Sequence, residues 1–129
     1  MSGSLSKILY VEDEPDIQAI AKLALEAIGG FTVKICSSGQ EALTELPVFA
    51  PDVILLDVMM PGMDGPSTLK ALRELDAVKN TPVIFMTAKV QPQEVAQYKA
   101  LGALDVIAKP FDPMTLSASV RGIWERRPA

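Results

Sequence analysis

The stretch Val53-Ile54-Leu55-Leu56-Asp57, followed by the turn Met60-Pro61-Gly62-Met63-Asp64-Gly65, decides how this chain is built. Consecutive branched apolar residues, ended by an acid and a Pro/Gly turn, read as a short strand. Both parities of that run are apolar, so both faces of the strand are covered, as on the inner strands of a parallel sheet. Working outward, similar runs recur at Ile8-Leu9-Tyr10-Val11, Thr32-Val33-Lys34-Ile35-Cys36, Val83-Ile84-Phe85-Met86 and Leu104-Asp105-Val106-Ile107-Ala108. Helical spacing fills the gaps. Ile17, Ile20, Ala21, Ala24 and Ile28 form one apolar stripe, Leu69, Leu72 and Leu75 another, and Leu116, Val120, Ile123 and Trp124 the last.

Strands alternating with helices imply an open parallel sheet with helices on both faces. The runs at Ile8, Val53 and Val83 are apolar throughout and belong inside. The runs at Thr32 and Leu104 alternate and belong at the edges, with Leu104, Val106 and Ala108 turned one way and Asp105 the other. That arrangement matches a doubly wound α/β fold, five parallel strands in the order 2-1-3-4-5. Local signals mark the helix ends. Ser38-Gly39-Gln40-Glu41 reads as a capping box. Gln91-Pro92 and Asp112-Pro113 place proline at a first helical position, and Gly29-Gly30 stops the first helix. Residues 1–129 read as a single domain with its core over about 7–127 and no output domain in this chain.

Composition narrows the functions. The chain has 129 residues, 49% hydrophobic and 22% charged, the balance of a globular domain. It has no histidine, which excludes a His-based triad, a His metal site and a phosphohistidine carrier. Its one cysteine excludes an internal disulfide, and Cys36 itself reads as a small buried hydrophobe. A net charge of -4 argues against a groove for nucleic-acid backbone. No apolar stretch is long enough to span a bilayer, and Met1 to Lys7 lacks the hydrophobic segment of a signal peptide. A soluble, cytoplasmic domain with no membrane association is the expectation.

Ligands of such a sheet bind beyond the carboxyl ends of the strands. Glu12, Asp13 and Glu14 follow the first strand, Asp57 ends the third, Thr87 follows the fourth and Lys109 the fifth. Neighbouring strands are about 4.8 Å apart, so Glu12, Asp13 and Asp57 should share one pocket. Two unit charges about 4 Å apart repel by roughly 4 kcal/mol at an effective dielectric near 20. Such a cluster calls for a raised pKa, a cation, or both. An all-oxygen donor set suits Mg²⁺. Beside that ion a carboxylate can attack phosphorus, with Thr87 and Lys109 holding the phosphoryl oxygens. Each residue alone has an ordinary explanation: acids favour helix starts, Thr87 suits a turn and Lys109 a wet surface. Met59, Met60 and Met63 read as loop and core filler. The coincidence at four strand ends carries the reading.

These segments, Ile8–Glu14, Val53–Gly65, Met86-Thr87-Ala88 and Ala108-Lys109-Pro110-Phe111, closely resemble the receiver (CheY-like) domain of two-component response regulators, a flavodoxin-like (βα)5 fold. The resemblance implies that Asp57 is the phosphoacceptor, taking phosphoryl from a phosphohistidine on a histidine kinase or histidine phosphotransfer protein. It further implies Mg²⁺ held by Asp13, Asp57 and the Met59 backbone carbonyl, with Glu12 acting through water. Thr87 and Lys109 are implied to contact the phosphoryl group, and small Ala88 leaves the site open. The Lys109-Pro110 bond is commonly cis in this family, which would help aim the lysine inward. Met59 and Lys89 stand where the phosphoryl lifetime is tuned. By the same resemblance the chain is a signalling phosphoacceptor rather than an enzyme, although it promotes its own phosphorylation and dephosphorylation. It would act on an unidentified downstream protein, and phosphorylation-dependent dimerisation is a further expectation.

Two positions depart from the family pattern. The acidic pair is Glu12-Asp13, where Asp-Asp is also common. Val106 stands where a rotating aromatic switch residue is usual, and valine has no ring to move between inward and outward states, so signal output is expected to use another route. Other readings fit less well. A haloacid-dehalogenase-type phosphatase needs a second Asp at the position of Met59. A flavin carrier would want Ser, Thr or Gly where Glu12-Asp13-Glu14 stand, and no phosphate-binding Gly-Lys loop is present. The remaining alternative is a constitutive scaffold, a pseudo-receiver that is never phosphorylated, favoured only by Val106.

Overall fold

The computed structural model describes residues 4–128. Met1–Gly3, part of the segment read as lacking a signal peptide, and Ala129 lie outside the described residues. The strands are β1 (Lys7–Val11), β2 (Thr32–Cys36), β3 (Val53–Asp57), β4 (Val83–Thr87) and β5 (Asp105–Ala108). The helices are α1 (Pro15–Leu23), α2 (Gly39–Phe49), α3 (Gly65–Leu72), α4 (Pro92–Ala100) and α5 (Leu116–Glu125). All strand pairs are parallel, and the sheet order is β2-β1-β3-β4-β5. The doubly wound reading of the sequence is thereby met.

Strand alternation sends side chains to two separate cores. Ile8, Tyr10, Val53, Leu55, Ile84 and Met86 pack against α1, the turn that follows it and α5, through Ala21, Ala24, Leu25, Leu116, Val120 and Trp124. Leu9, Val11, Ile54, Leu56, Val83 and Phe85 pack on the other side, against Ala42, Leu46, Leu69 and Leu72. Cys36 is fully buried, and burial pushes its thiol up to about 12, leaving it an inert core side chain.

Several local expectations shift. Along the first helix the buried residues are Ala21, Ala24 and Leu25, whereas Ile20 and Ile28 are about half exposed. A π-helical turn over Ala24–Ile28 follows α1, and its extra residue rotates the stripe so that Leu25 takes the inward place. The Gly29-Gly30 stop holds, with Gly30 at φ 74°. Ser38 caps α2 by accepting the Glu41 N–H at 3.0 Å, but the Glu41 carboxylate accepts from Ser37 N–H rather than closing the box on Ser38. α5 starts at Leu116 rather than at Pro113, because Asp112 first closes a turn, its side chain accepting the Met114 N–H at 2.8 Å. On β5 Ile107 is buried in the first core, Val106 packs half-buried against the second and Ala108 is exposed, so the strand is covered on both faces rather than on the one expected.

Candidate functional site

Register assembles the site before any side chain is considered. Val11 pairs with Leu56, Asp57 with Met86, and Thr87 with Ala108. One step further along the chain, Glu12, Asp57, Thr87 and Lys109 therefore line the same sheet edge. The turn after β3 is held close beneath it. Asp64 caps α3 by accepting the Ser67 N–H at 2.8 Å, and the Gly65 N–H donates to the Val58 carbonyl at 2.9 Å. A Cβ on Gly65 would stand 2.6 Å from the Asp57 carbonyl oxygen, so only glycine allows α3 to start this near the acid.

Carboxylate oxygens of Glu12, Asp13 and Asp57 lie within 4.8 Å of one another. Glu12 and Asp57 are buried, while Asp13 is partly open. Lys109 bridges the two buried acids, with Nζ 2.8 Å from Glu12 Oε1 and 3.2 Å from Asp57 Oδ2. The second Glu12 oxygen accepts the Glu14 N–H at 3.1 Å, and the Gln18 side chain donates to the Glu12 carbonyl at 2.6 Å. Thr87 is buried at the head of β4, where its Oγ accepts the Lys89 N–H at 3.1 Å. Ala88 is exposed beside it, Met59 is exposed at the rim, and the Lys109–Pro110 peptide is cis. Val106 is half-buried and packs, like Tyr98 of α4, against the second core.

The electrostatics follow from this crowding. Burial raises the Asp57 carboxyl to about 6, the Glu12 charge pushes the same way, and Lys109 with the Met59 N–H pulls back. Burial alone would lower the Lys109 pKa, but its contacts with Glu12 and Asp57 outweigh this and hold it above the ordinary value. At neutral pH the pocket therefore holds an ionised Asp57 against a protonated Lys109.

The residues over 8–121 match the family model for the response regulator receiver domain. The chain belongs to that family. This receiver is 36% identical over 124 residues to the transcriptional regulatory protein TrcR of Mycobacterium tuberculosis, covering 96% of this chain and 47% of that protein. It is 39% identical over 122 residues to the transcriptional regulatory protein CpxR of Escherichia coli, covering 95% of this chain and 50% of that one. The receiver thus spans about half the length of these curated relatives. Among solved structures, the chemotaxis response regulator CheY4 of Vibrio cholerae superposes with a TM-score of 0.85 at 32% identity, covering 93% of this chain and 99% of that one. A response regulator from Chloroflexus aurantiacus gives 0.83 at 31%, covering 95% and 100%.

The structure gathers Glu12, Asp13, Asp57, Thr87 and Lys109 at one edge, as their sequence positions suggested. One contact was missed. The Tyr10 hydroxyl reaches Glu12 Oε1 at 3.3 Å inside the protein. The two-residue spacing on one strand was the available signal.

Proposed function

We propose that this receiver accepts a phosphoryl group on Asp57 from a phosphohistidine of a histidine kinase or phosphotransfer protein. The observation that carries the reading is the Lys109 ammonium bridging Glu12 and Asp57 beside a third carboxylate, that of Asp13. An Asp57 oxygen attacks phosphorus as the donor's P–N bond breaks, and that electron pair leaves on the imidazole. Burial makes the Asp57 carboxylate more basic than usual yet leaves it ionised at pH 7, the state a nucleophile needs. Lys109 then swings from the carboxylates to the transferred group, and the Thr87 hydroxyl donates to it.

The donor set fits a hard divalent cation: oxygens only, closely spaced, with Asp13 open to water. Asp13, Asp57 and the Met59 carbonyl would hold Mg²⁺ directly, with Glu12 acting through a water. When bound it supplies positive charge against the phosphoryl oxygens. Among the described residues no helix is long and apolar enough to cross a membrane, and the kinase-facing role suits the cytoplasm. The downstream partner is a protein, and a phosphorylation-dependent dimer is one form its output could take.

The test is mass spectrometry after incubation with Mg²⁺ and acetyl phosphate. The expected result is one added phosphoryl group that Asp57→Asn abolishes. Mg²⁺ binding with no phosphoryl gain would establish the constitutive scaffold instead.

A further inference from the structure

Tyr10 has no part in the chemistry above, yet it is the largest fully buried side chain beside the acid pocket. Alternation along β1 puts Tyr10 and Glu12 on the same side of the sheet. The ring packs in the core among Ile8, Val53, Leu55 and Met86, and only its hydroxyl reaches the site. Glu12 Oε1 receives that hydroxyl at 3.3 Å and Lys109 Nζ at 2.8 Å, while Oε2 receives the Glu14 N–H at 3.1 Å. A fully buried glutamate thus has both oxygens held from three directions.

We infer that Tyr10 is a positioning residue whose hydroxyl fixes the Glu12 carboxylate in the orientation that meets Lys109 and the oxygen cluster. The inference rests on the reading of that cluster as a Mg²⁺ site. The terminal torsion of glutamate is soft, with no sharp preferred angle of its own. Removing the phenolic donor frees Oε1 to turn with Lys109, and the cluster loses its preset spacing.

Tyr10→Phe keeps the ring and deletes the donor. Mg²⁺ is titrated into the wild type, Tyr10→Phe, Glu12→Gln and the double variant, following backbone amide shifts by NMR. Tyr10→Phe should weaken Mg²⁺ binding by about three- to tenfold. In the Glu12→Gln background the same change should alter binding by less than about twofold, because the coupling runs through Glu12. Unchanged affinity in Tyr10→Phe, or an equal loss in both backgrounds, overturns the inference in favour of ring packing. A second measurement needs neither variant nor metal. In the unmodified metal-free protein the Tyr10 hydroxyl proton should give its own slowly exchanging resonance, with a cross-peak to the Glu12 side chain. A hydroxyl proton in fast exchange with water overturns the inference. A wild type that binds no Mg²⁺ while showing that proton overturns the cation reading and leaves the positioning of Glu12 upheld.

Discussion

The acid pocket and the α4 side of the sheet are built to different standards. At the pocket, Glu12 and Asp57 are almost without exposure, and Glu12, Asp57 and Thr87 are each tied by a named polar contact. Across β4 and β5, by contrast, α4 contributes no buried residue. Its main anchor is Tyr98, standing edge-on to Phe85 with ring centroids 5.4 Å apart at 76°. Val106 of β5 adds only a small, half-buried branched side chain to the same core. Phe85 lies two residues before Thr87 on β4, so the aromatic pair packs α4 against the strand that carries Thr87. The contrast teaches that the chemistry is preorganised by the core, whereas the surface next to α4 is held loosely enough to move at low cost.

The sharpest way to break this comparison is through stability. Leu55→Ala, in the strand that carries Asp57, should cost about 3–5 kcal/mol in urea unfolding. An effect well below that would mean the pocket is no better anchored than α4. Next in size, Lys109→Ala should slow phosphoryl gain from acetyl phosphate by about a hundredfold, since a single preplaced donor at the reacting oxygens is worth that much. An unchanged rate, read by mass spectrometry over time, would remove Lys109 from the chemistry.

A pH test comes third. Burial, with the Glu12 charge, pushes the Asp57 carboxyl up to about 6 in the folded chain, against about 3.9 for an ordinary aspartate. Between those values the folded chain keeps a proton that the unfolded chain has lost, so stability falls as pH rises through that window. The cost is absent below about pH 4 and complete above about pH 6. Asp57→Asn should therefore stabilise the metal-free protein by about 2 kcal/mol at pH 7 and by nothing near pH 4. Equal gains at both pH values would assign the effect to packing. The smallest expected change is Tyr98→Leu, which deletes the ring pair for about 0.5–1.5 kcal/mol. It should speed amide exchange across α4 while leaving the rate of phosphorylation within about twofold. A slowed phosphorylation would show that the two regions are one unit.

Much of this was legible along the chain. The unbroken apolar runs at Val53 and Val83 marked inner strands because coverage on both faces leaves no polar parity, and the topology followed from them. The acid cluster was legible for a related reason, since parallel strands end at one edge and Glu12, Asp57 and Lys109 each follow a strand. Less visible were features set by packing. Ile20 and Ile28 fit a helical stripe, but the π-helical turn rotated Leu25 inward in place of Ile28. Asp112 closed a turn that delayed α5, and β5 is covered on both faces. Periodicity assumes a regular backbone, which the π-helical turn and the Asp112 turn interrupt, and it does not say how far a neighbouring helix covers an edge strand.

Composition and pattern by themselves determined the strand count, the winding, and which acids and which lysine reach the same sheet edge, because hydrophobic burial and strand spacing leave little freedom there. Only the tertiary structure decided that Lys109 spans both buried carboxylates, that Tyr10 reaches Glu12 from below, and that α4 hangs mainly on one aromatic contact. Those outcomes depend on side-chain torsions and on distances between segments far apart in the chain, which are settled when the whole core packs rather than by any local run of residues.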